Sequence, residues 1–239
     1  MLSSETVLYS RWLLAFWGTQ MAVYQRHLLP QTGTVLVVSN HRSFMDPILL
    51  TAAVSRPIRF ACHHYMGQVP ILRELVTSLG AFPLEDPLHR PQEFFKQATT
   101  LLANNEMVGI FPEGAAPMVK ATAPQDVGNF QRGFAHLALR AELENLAILP
   151  MAIQATDEQL IQSLVPLRAL SWFDPSEPLF DQPGWHPVVF YRQVQVLLGR
   201  PYWITPELKQ AYRGKQARET INQVITYCQQ EIKDLLHQA

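Results

Sequence analysis

Residues 34–38 read Thr-Val-Leu-Val-Val, a short run rich in β-branched residues and free of charge. Apolar on both faces, it predicts a strand buried on both sides rather than one with a wet face. Further strands are predicted at Pro57–Cys62, Ala81–Leu84, Met107–Phe111, Leu146–Ile153 and Val188–Leu198. The intervening segments have helical spacing. Residues 47–54 and 70–78 predict short helices, and Pro91 opens a longer one with Phe94, Phe95, Ala98, Leu101 and Leu102 at helical intervals. Proline suits such an opening because the first-turn N–H has no helical partner to lose. Phe130–Leu143 and residues 214–236 also read as helices, the last with Ala217, Ile221, Val224, Ile225, Cys228, Ile232 and Leu235 on one face. Strand and helix alternate, which predicts an α/β fold with a mostly parallel central sheet flanked by helices. Residues 163–187, rich in Pro, Asp and Trp, predict an irregular insertion.

Residues 6–28 predict an N-terminal helix, with Trp12, Phe16 and Trp17 among Arg11, Gln20, Gln25 and Arg26. Two readings stand: a helix lying in a membrane surface, or one packing on the domain core. The chain divides accordingly into an N-terminal segment, 1–30, and an α/β unit, 31–239. No apolar run approaches the roughly 18–20 residues that a spanning helix needs. Charged residues make up 16% of the chain, against about 25% in ordinary soluble domains, so more apolar surface is expected. A net charge of −1 gives no general attraction to nucleic acid. The opening residues do not read as a signal peptide, so the two cysteines, Cys62 and Cys228, are expected to be thiols.

The first strand ends in Ser39-Asn40-His41-Arg42-Ser43-Phe44-Met45-Asp46. On a straight helix, residues five apart lie about 140° apart, so His41 and Asp46 meet only if the chain turns between them. A strand end followed by a helix start supplies that turn. Asp46 could then fix the imidazole tautomer while the other ring nitrogen takes a proton from a hydroxyl. Alternatively, Asp46 caps the helix and Pro47 occupies its first position. A second turn, Gly109-Ile110-Phe111-Pro112-Glu113-Gly114, again exposes a carboxylate after a strand. Ligand sites in parallel sheets lie beyond the carboxyl ends of the strands. The loop from Ala115 to Asn129 that follows is long enough to suggest function. The bland reading of Glu113 is a turn carboxylate holding backbone N–H groups. Cys62-His63-His64 is a weak metal signal, because strand neighbours point to opposite faces and no further ligand stands at the right spacing. His63 or His64 near an acceptor site is the better reading. The chain lacks a glycine-rich phosphate loop and a G-x-S-x-G elbow.

Asn40-His41 with Asp46 matches the NHX4D signature, and Phe111-Pro112-Glu113-Gly114 the FPEG motif, of the glycerolipid acyltransferases, the group that includes 1-acylglycerol-3-phosphate acyltransferase. Gly80-Ala81-Phe82-Pro83 resembles that family's second block, and Ile148–Ile153 its fourth. Phe130–Ala138 resembles the helix after FPEG. The resemblance implies transfer of a fatty acyl group from acyl-CoA or acyl carrier protein to a lipid hydroxyl, with no metal or organic cofactor. His41 would be the general base and Asp46 its orienting partner. Asn40, Arg42, Ser43, His63, Arg90, Glu113 and Gly114 are the expected acceptor and substrate contacts. The expected setting is the cytosolic face of a membrane, bound peripherally, with a membrane lipid as acceptor. The acceptor most in keeping with the family is 1-acylglycerol 3-phosphate. Yet Asp86 and Ala116 stand where the family carries phosphate-binding arginines, which keeps a phosphate-free lipid alcohol in view. Arg42, Arg90, Lys120 and Arg132 are the substitutes to consider. A non-catalytic lipid-binding member is the alternative from outside enzymology.

Overall fold

All six residues of strand β2 (Thr34–Ser39) are buried, and the molecule is built around it. The computed structural model of the chain describes residues 2–62, 80–83, 90–171 and 178–238. Within them the other strands are β1 (Gln20–Tyr24), β3 (Ile58–Cys62), β4 (Phe82–Pro83), β5 (Met107–Ile110), β6 (Leu146–Pro166), β7 (Trp185–Leu198) and β8 (Tyr202–Trp203). They form one sheet in the order β1-β7-β6-β2-β5-β3-β4, with β8 pairing β6. β6, β2, β5, β3 and β4 run parallel to one another; β7 and β8 pair β6 antiparallel, and β1 runs parallel to β7. The sheet is therefore mixed but mostly parallel.

Helices cover both faces. They are α1 (Leu2–Phe16), α2 (Asp46–Val54), α3 (Arg90–Ala103), α4 (Ala116–Val119), α5 (Gly133–Arg140), α6 (Leu167–Ser171), α7 (Pro206–Arg213) and α8 (Ala217–Gln238). The two-residue alternation of a strand divides β2 between two cores. Val35 and Val37 face a core shared with Leu13, Leu14, Ile48 and Leu49 of α1 and α2. Leu36 and Val38 face the opposite core, with Ala98, Phe134, Val224 and Cys228 of α3, α5 and α8.

Two expectations are corrected. Residues 6–28 are not one helix: α1 ends at Phe16, and Gln20–Tyr24 form a strand paired with Gln193–Leu197. This edge strand buries only alternate positions partly, and its short, mixed run reads as helix next to an aromatic stretch. The first 30 residues thus contribute a strand to the same sheet. Residues 163–187 are not wholly irregular, since β6 continues to Pro166 and β7 begins at Trp185. This extension is held by antiparallel pairing through Pro166↔Trp185, and backbone pairing beyond the core leaves no apolar signature. The expected final helix, 214–236, is present as α8, and a short helix not predicted from the sequence, α7, precedes it, opened by Thr205, whose side chain accepts from the amide of Leu208. The predicted helix at 70–78 lies outside the described residues.

Beyond the β2–β6 ladder, Asn40 extends the pairing with its side chain. Its Nδ2 donates to the Ile153 carbonyl and its Oδ1 accepts from the Ile153 amide, both at 2.9 Å. Only 1% of Asn40 is exposed, so nothing else can satisfy those backbone groups. Replacing Asn40 with Leu keeps its bulk and orphans both. The variant should lose about 2–4 kcal/mol of stability, read as a lower urea midpoint at unchanged denaturant slope.

Candidate active site

The parallel strands β2 and β5 both end at the same edge of the sheet, and the turns that follow them, 40–46 and 111–114, meet there. In the first turn, a single carboxylate oxygen organises the chain. Asp46 Oδ2 accepts from the amides of Arg42, at 2.7 Å, and Ser43, at 2.9 Å. It also receives His41 Nδ1, at 2.8 Å. Met45, not Asp46, is the N-cap residue of α2, and Pro47 lies in the first turn. The Asp46 carboxylate thus points back into the turn rather than forward over the helix. His41 and Asp46, which a continuous helix would hold apart, are in contact.

His41 is fixed by two further contacts. Its ring stacks on Phe111, with centroids 4.2 Å apart and planes 17° from parallel, and Phe111 stacks in turn on Phe60. That arrangement requires Gly109, because a Cβ there would collide with the Phe60 ring. The backbone amide of His41 donates to Glu113 Oε1 at 3.1 Å. The His41 side chain keeps 19% exposure while Asp46 is sealed. With Nδ1 given to Asp46, Nε2 is the nitrogen left to meet a substrate.

Glu113 is buried and holds two chain segments. Besides the His41 amide, it accepts from the Gly128 amide at 2.6 Å. It therefore closes the long loop back onto the dyad, the backbone-holding role allowed by its turn position. Burial pushes the Glu113 carboxyl above its ordinary range, against the downward pull of the Gly128 and His41 amides. Gly114 closes the turn, its amide donating to the Phe111 carbonyl at 3.2 Å.

The remaining expected contacts differ. Asn40, Arg42 and Ser43 were candidates to touch substrate, but each is buried and bonded within the protein. Asn40 is bound to Ile153, as above. Ser43 donates its hydroxyl to the Val189 carbonyl at 2.6 Å and accepts the Met45 amide. Arg42 forms a fork–fork pair with Glu158, at 2.6 and 2.8 Å, and its Nε and Nη2 donate to the Thr122 carbonyl. Burial would lower the Arg42 pKa, but the Glu158 hydrogen bond and neighbouring negative charges outweigh it and hold the guanidinium above its ordinary value. Such a fork is fully used. The physical reason in all three cases is that polar groups packed beside a buried turn must find partners. Arg90 opens α3, but its side chain, like the whole of His63 and Asp86, lies outside the described residues. Sequence reasoning missed the roles of Glu158 and Gly128, which come from distant segments. Only their unusual positions, a carboxylate in a strand and a glycine ending a long loop, hinted at them.

A Cβ at Gly128 would sit 2.7 Å from Glu113 Oε2, so Gly128→Ala should break that hydrogen bond and release the loop. Activity should fall about tenfold, one charge-assisted hydrogen bond's worth, while far-ultraviolet circular dichroism is unchanged. Because the folded-state pKa of Glu113 is raised, its contribution to stability is complete below the ordinary carboxylate value. That contribution is lost as pH rises through the folded value. In paired urea titrations, the stability of wild type relative to Glu113→Gln should therefore decline across that window.

A sequence profile of the acyltransferase family matches residues 20–154. A search of curated protein sequences finds no match. Among solved structures, the fold is similar to the 1-acyl-sn-glycerophosphate (LPA) acyltransferase PlsC from Thermotoga maritima, with a TM-score of 0.57. That match is 16% identical and covers 96% of this chain and 78% of the other. At that identity the likeness is one of fold. The profile, however, spans more than half of the chain and takes in both turns of the site, and on that ground the chain belongs to the acyltransferase family.

Proposed function

We propose that this protein moves a fatty acyl group from a thioester, on CoA or acyl carrier protein, to the hydroxyl of a lipid. The observation that carries the reading is the 2.8 Å contact between His41 Nδ1 and Asp46 Oδ2 on a partly exposed imidazole. Asp46 holds the tautomer with its proton on Nδ1, so Nε2 accepts the proton of the acceptor hydroxyl. The oxygen attacks the thioester carbonyl, a tetrahedral oxyanion forms, and its collapse breaks the C–S bond. The thiolate then takes the proton from the imidazolium, whose charge Asp46 stabilises meanwhile. The donor is already activated, so no acyl-enzyme is required.

The acceptor proposed first is 1-acylglycerol 3-phosphate, the substrate class in the name of the similarly folded Thermotoga protein. A phosphate-free lipid alcohol is the second reading. It is favoured by Arg42, whose fork is given to Glu158 and Thr122, and by Ala115-Ala116 after FPEG.

Access from a bilayer fits the surface. Leu8, Trp12 and Phe16 recur at four-residue intervals along α1 and are 70%, 57% and 71% exposed. Trp12 stacks on both Tyr9 and Phe16. At the helix end Trp17 packs edge-on against Phe44 and Phe190, so the aromatic surface continues to the turn that carries His41. No helix among the described residues is long and apolar enough to cross a membrane. The proposal is peripheral attachment at the cytosolic face, where thioester donors are available.

His41→Ala should lower turnover about a thousandfold, the usual weight of a positioned base, with labelled acyl-CoA or acyl carrier protein as donor. Wild-type turnover in that variant would defeat the mechanism. A panel pairing 1-acylglycerol 3-phosphate with phosphate-free alcohols decides between the two acceptors. Trp12→Ser with Phe16→Ser should reduce sedimentation with phospholipid vesicles at least about tenfold. The rate on a short-chain soluble acceptor should be unchanged.

A further inference from the structure

Asp46 Oδ2 is saturated by three donors, but Asp46 Oδ1 is buried without a hydrogen-bond partner. A sealed carboxylate oxygen left bare is costly and rare in native proteins. The group packed against this turn from β7 is Tyr191, a phenol only 2% exposed. Two contacts stitch β7 to the turn beside it. The Tyr191 amide meets Met45 Sδ at 3.4 Å, one residue before Asp46, and the Ser43 hydroxyl donates to Val189.

We propose that Tyr191 is a positioning residue of the dyad, its phenol O–H serving as the donor for Asp46 Oδ1. The carboxylate would then be anchored at both oxygens, one by the turn and His41, the other by the sheet. This rests on the reading of His41 as base. The charged groups around the phenol are Asp46 from α2, Arg42 from the turn and Glu158 from β6. Burial, with the negative charge of Asp46 beside it, drives the Tyr191 pKa well above its ordinary value, against the pull of Arg42. The phenol therefore stays protonated and can only donate toward the carboxylate. Tyr191 would act through Asp46 without touching substrate. Its backbone carbonyl is occupied separately, accepting from Thr19 Oγ1.

The test is Tyr191→Phe, which keeps the ring and removes one oxygen. We expect kcat to fall about tenfold, the weight of one hydrogen bond to a charged group, with KM for donor and acceptor unmoved. Proton NMR of the free protein should show the His41 imidazole titrating at higher pH in the variant, because a carboxylate that has lost a donor holds the imidazolium more strongly. In a His41→Ala background the same change should cost nothing further. A wild-type kcat, an unmoved His41 titration, or an equal loss with and without His41 would overturn the proposal. If His41→Ala itself retained full turnover, the base reading would fall. The NMR titration would still decide whether Tyr191 is coupled to Asp46. A second variant, Val189→Ala, perturbs the same stretch of strand without touching the phenol and should leave the titration in place.

Discussion

A buried carboxylate has to be surrounded by donors, since an ionised group removed from water without them is not tolerated. Asp46 meets that constraint with the chain immediately before it: two backbone amides and one imidazole converge on Oδ2. These bonds form only if residues 41–45 curl around the side chain, so the carboxylate folds the turn and aims the histidine together. The strand that ends at Ser39 and the helix that begins at Asp46 have their relative geometry dictated by this oxygen. Stability and proposed chemistry thus share the same interaction, and a change at Asp46 would not separate them.

Around it the protein builds a second tier with the same logic. Glu113 bonds the His41 backbone and Gly128, and Arg42 bonds Glu158 and Thr122. Between them they tie the loop 115–129 to the two turns at two points, and Arg42 ties its turn to the long β6–β7 hairpin. His41 is consequently restrained at its amide, at Nδ1 and across its ring face. A base whose orientation is set before substrate arrives avoids reorganising during proton transfer. The aromatic stack of Phe60, Phe111 and His41 adds a wall on one side of the ring.

The sheet and the dyad were legible in the sequence because both write local signals. An uncharged β-branched run marks β2, Pro47 marks a helix start, and five-residue spacing across that boundary brings His41 back onto Asp46. What was hidden depends on distant partners. Asn40, Arg42 and Ser43 look like substrate contacts when read beside His41. Their partners, Ile153, Glu158 and Val189, lie more than a hundred positions away. The strand Gln20–Tyr24 was hidden for a related reason, since it acquires its meaning only from pairing with β7. The outer arm of the β6–β7 hairpin, with Leu160 and Ile161 exposed, lacks the alternation that burial imposes on a core strand.

The commitment of Arg42 bears on the acceptor. Guanidinium recognition of phosphate uses the same two-pronged geometry that Glu158 already occupies, so Arg42 cannot serve both without breaking a nearly sealed ion pair. Such a pair is expensive to break from one side, because the remaining charge stays buried. Any positive charge presented to an acceptor phosphate must then come from elsewhere. Lys120 and Arg132 are exposed at the two ends of the loop that Glu113 closes, and neither is paired with a carboxylate among the described residues. Lys120 is a flexible, strongly hydrated point charge that would draw in a phosphate without fixing its orientation, whereas Arg132 carries a guanidinium fork that could fix one. In the proposed mechanism, with Arg42 committed, orientation at His41 would depend on how the lipid's apolar part is held beside Phe44 and Trp17 as well as on its headgroup. That dependence is what would let the same dyad accept an alcohol with no phosphate at all.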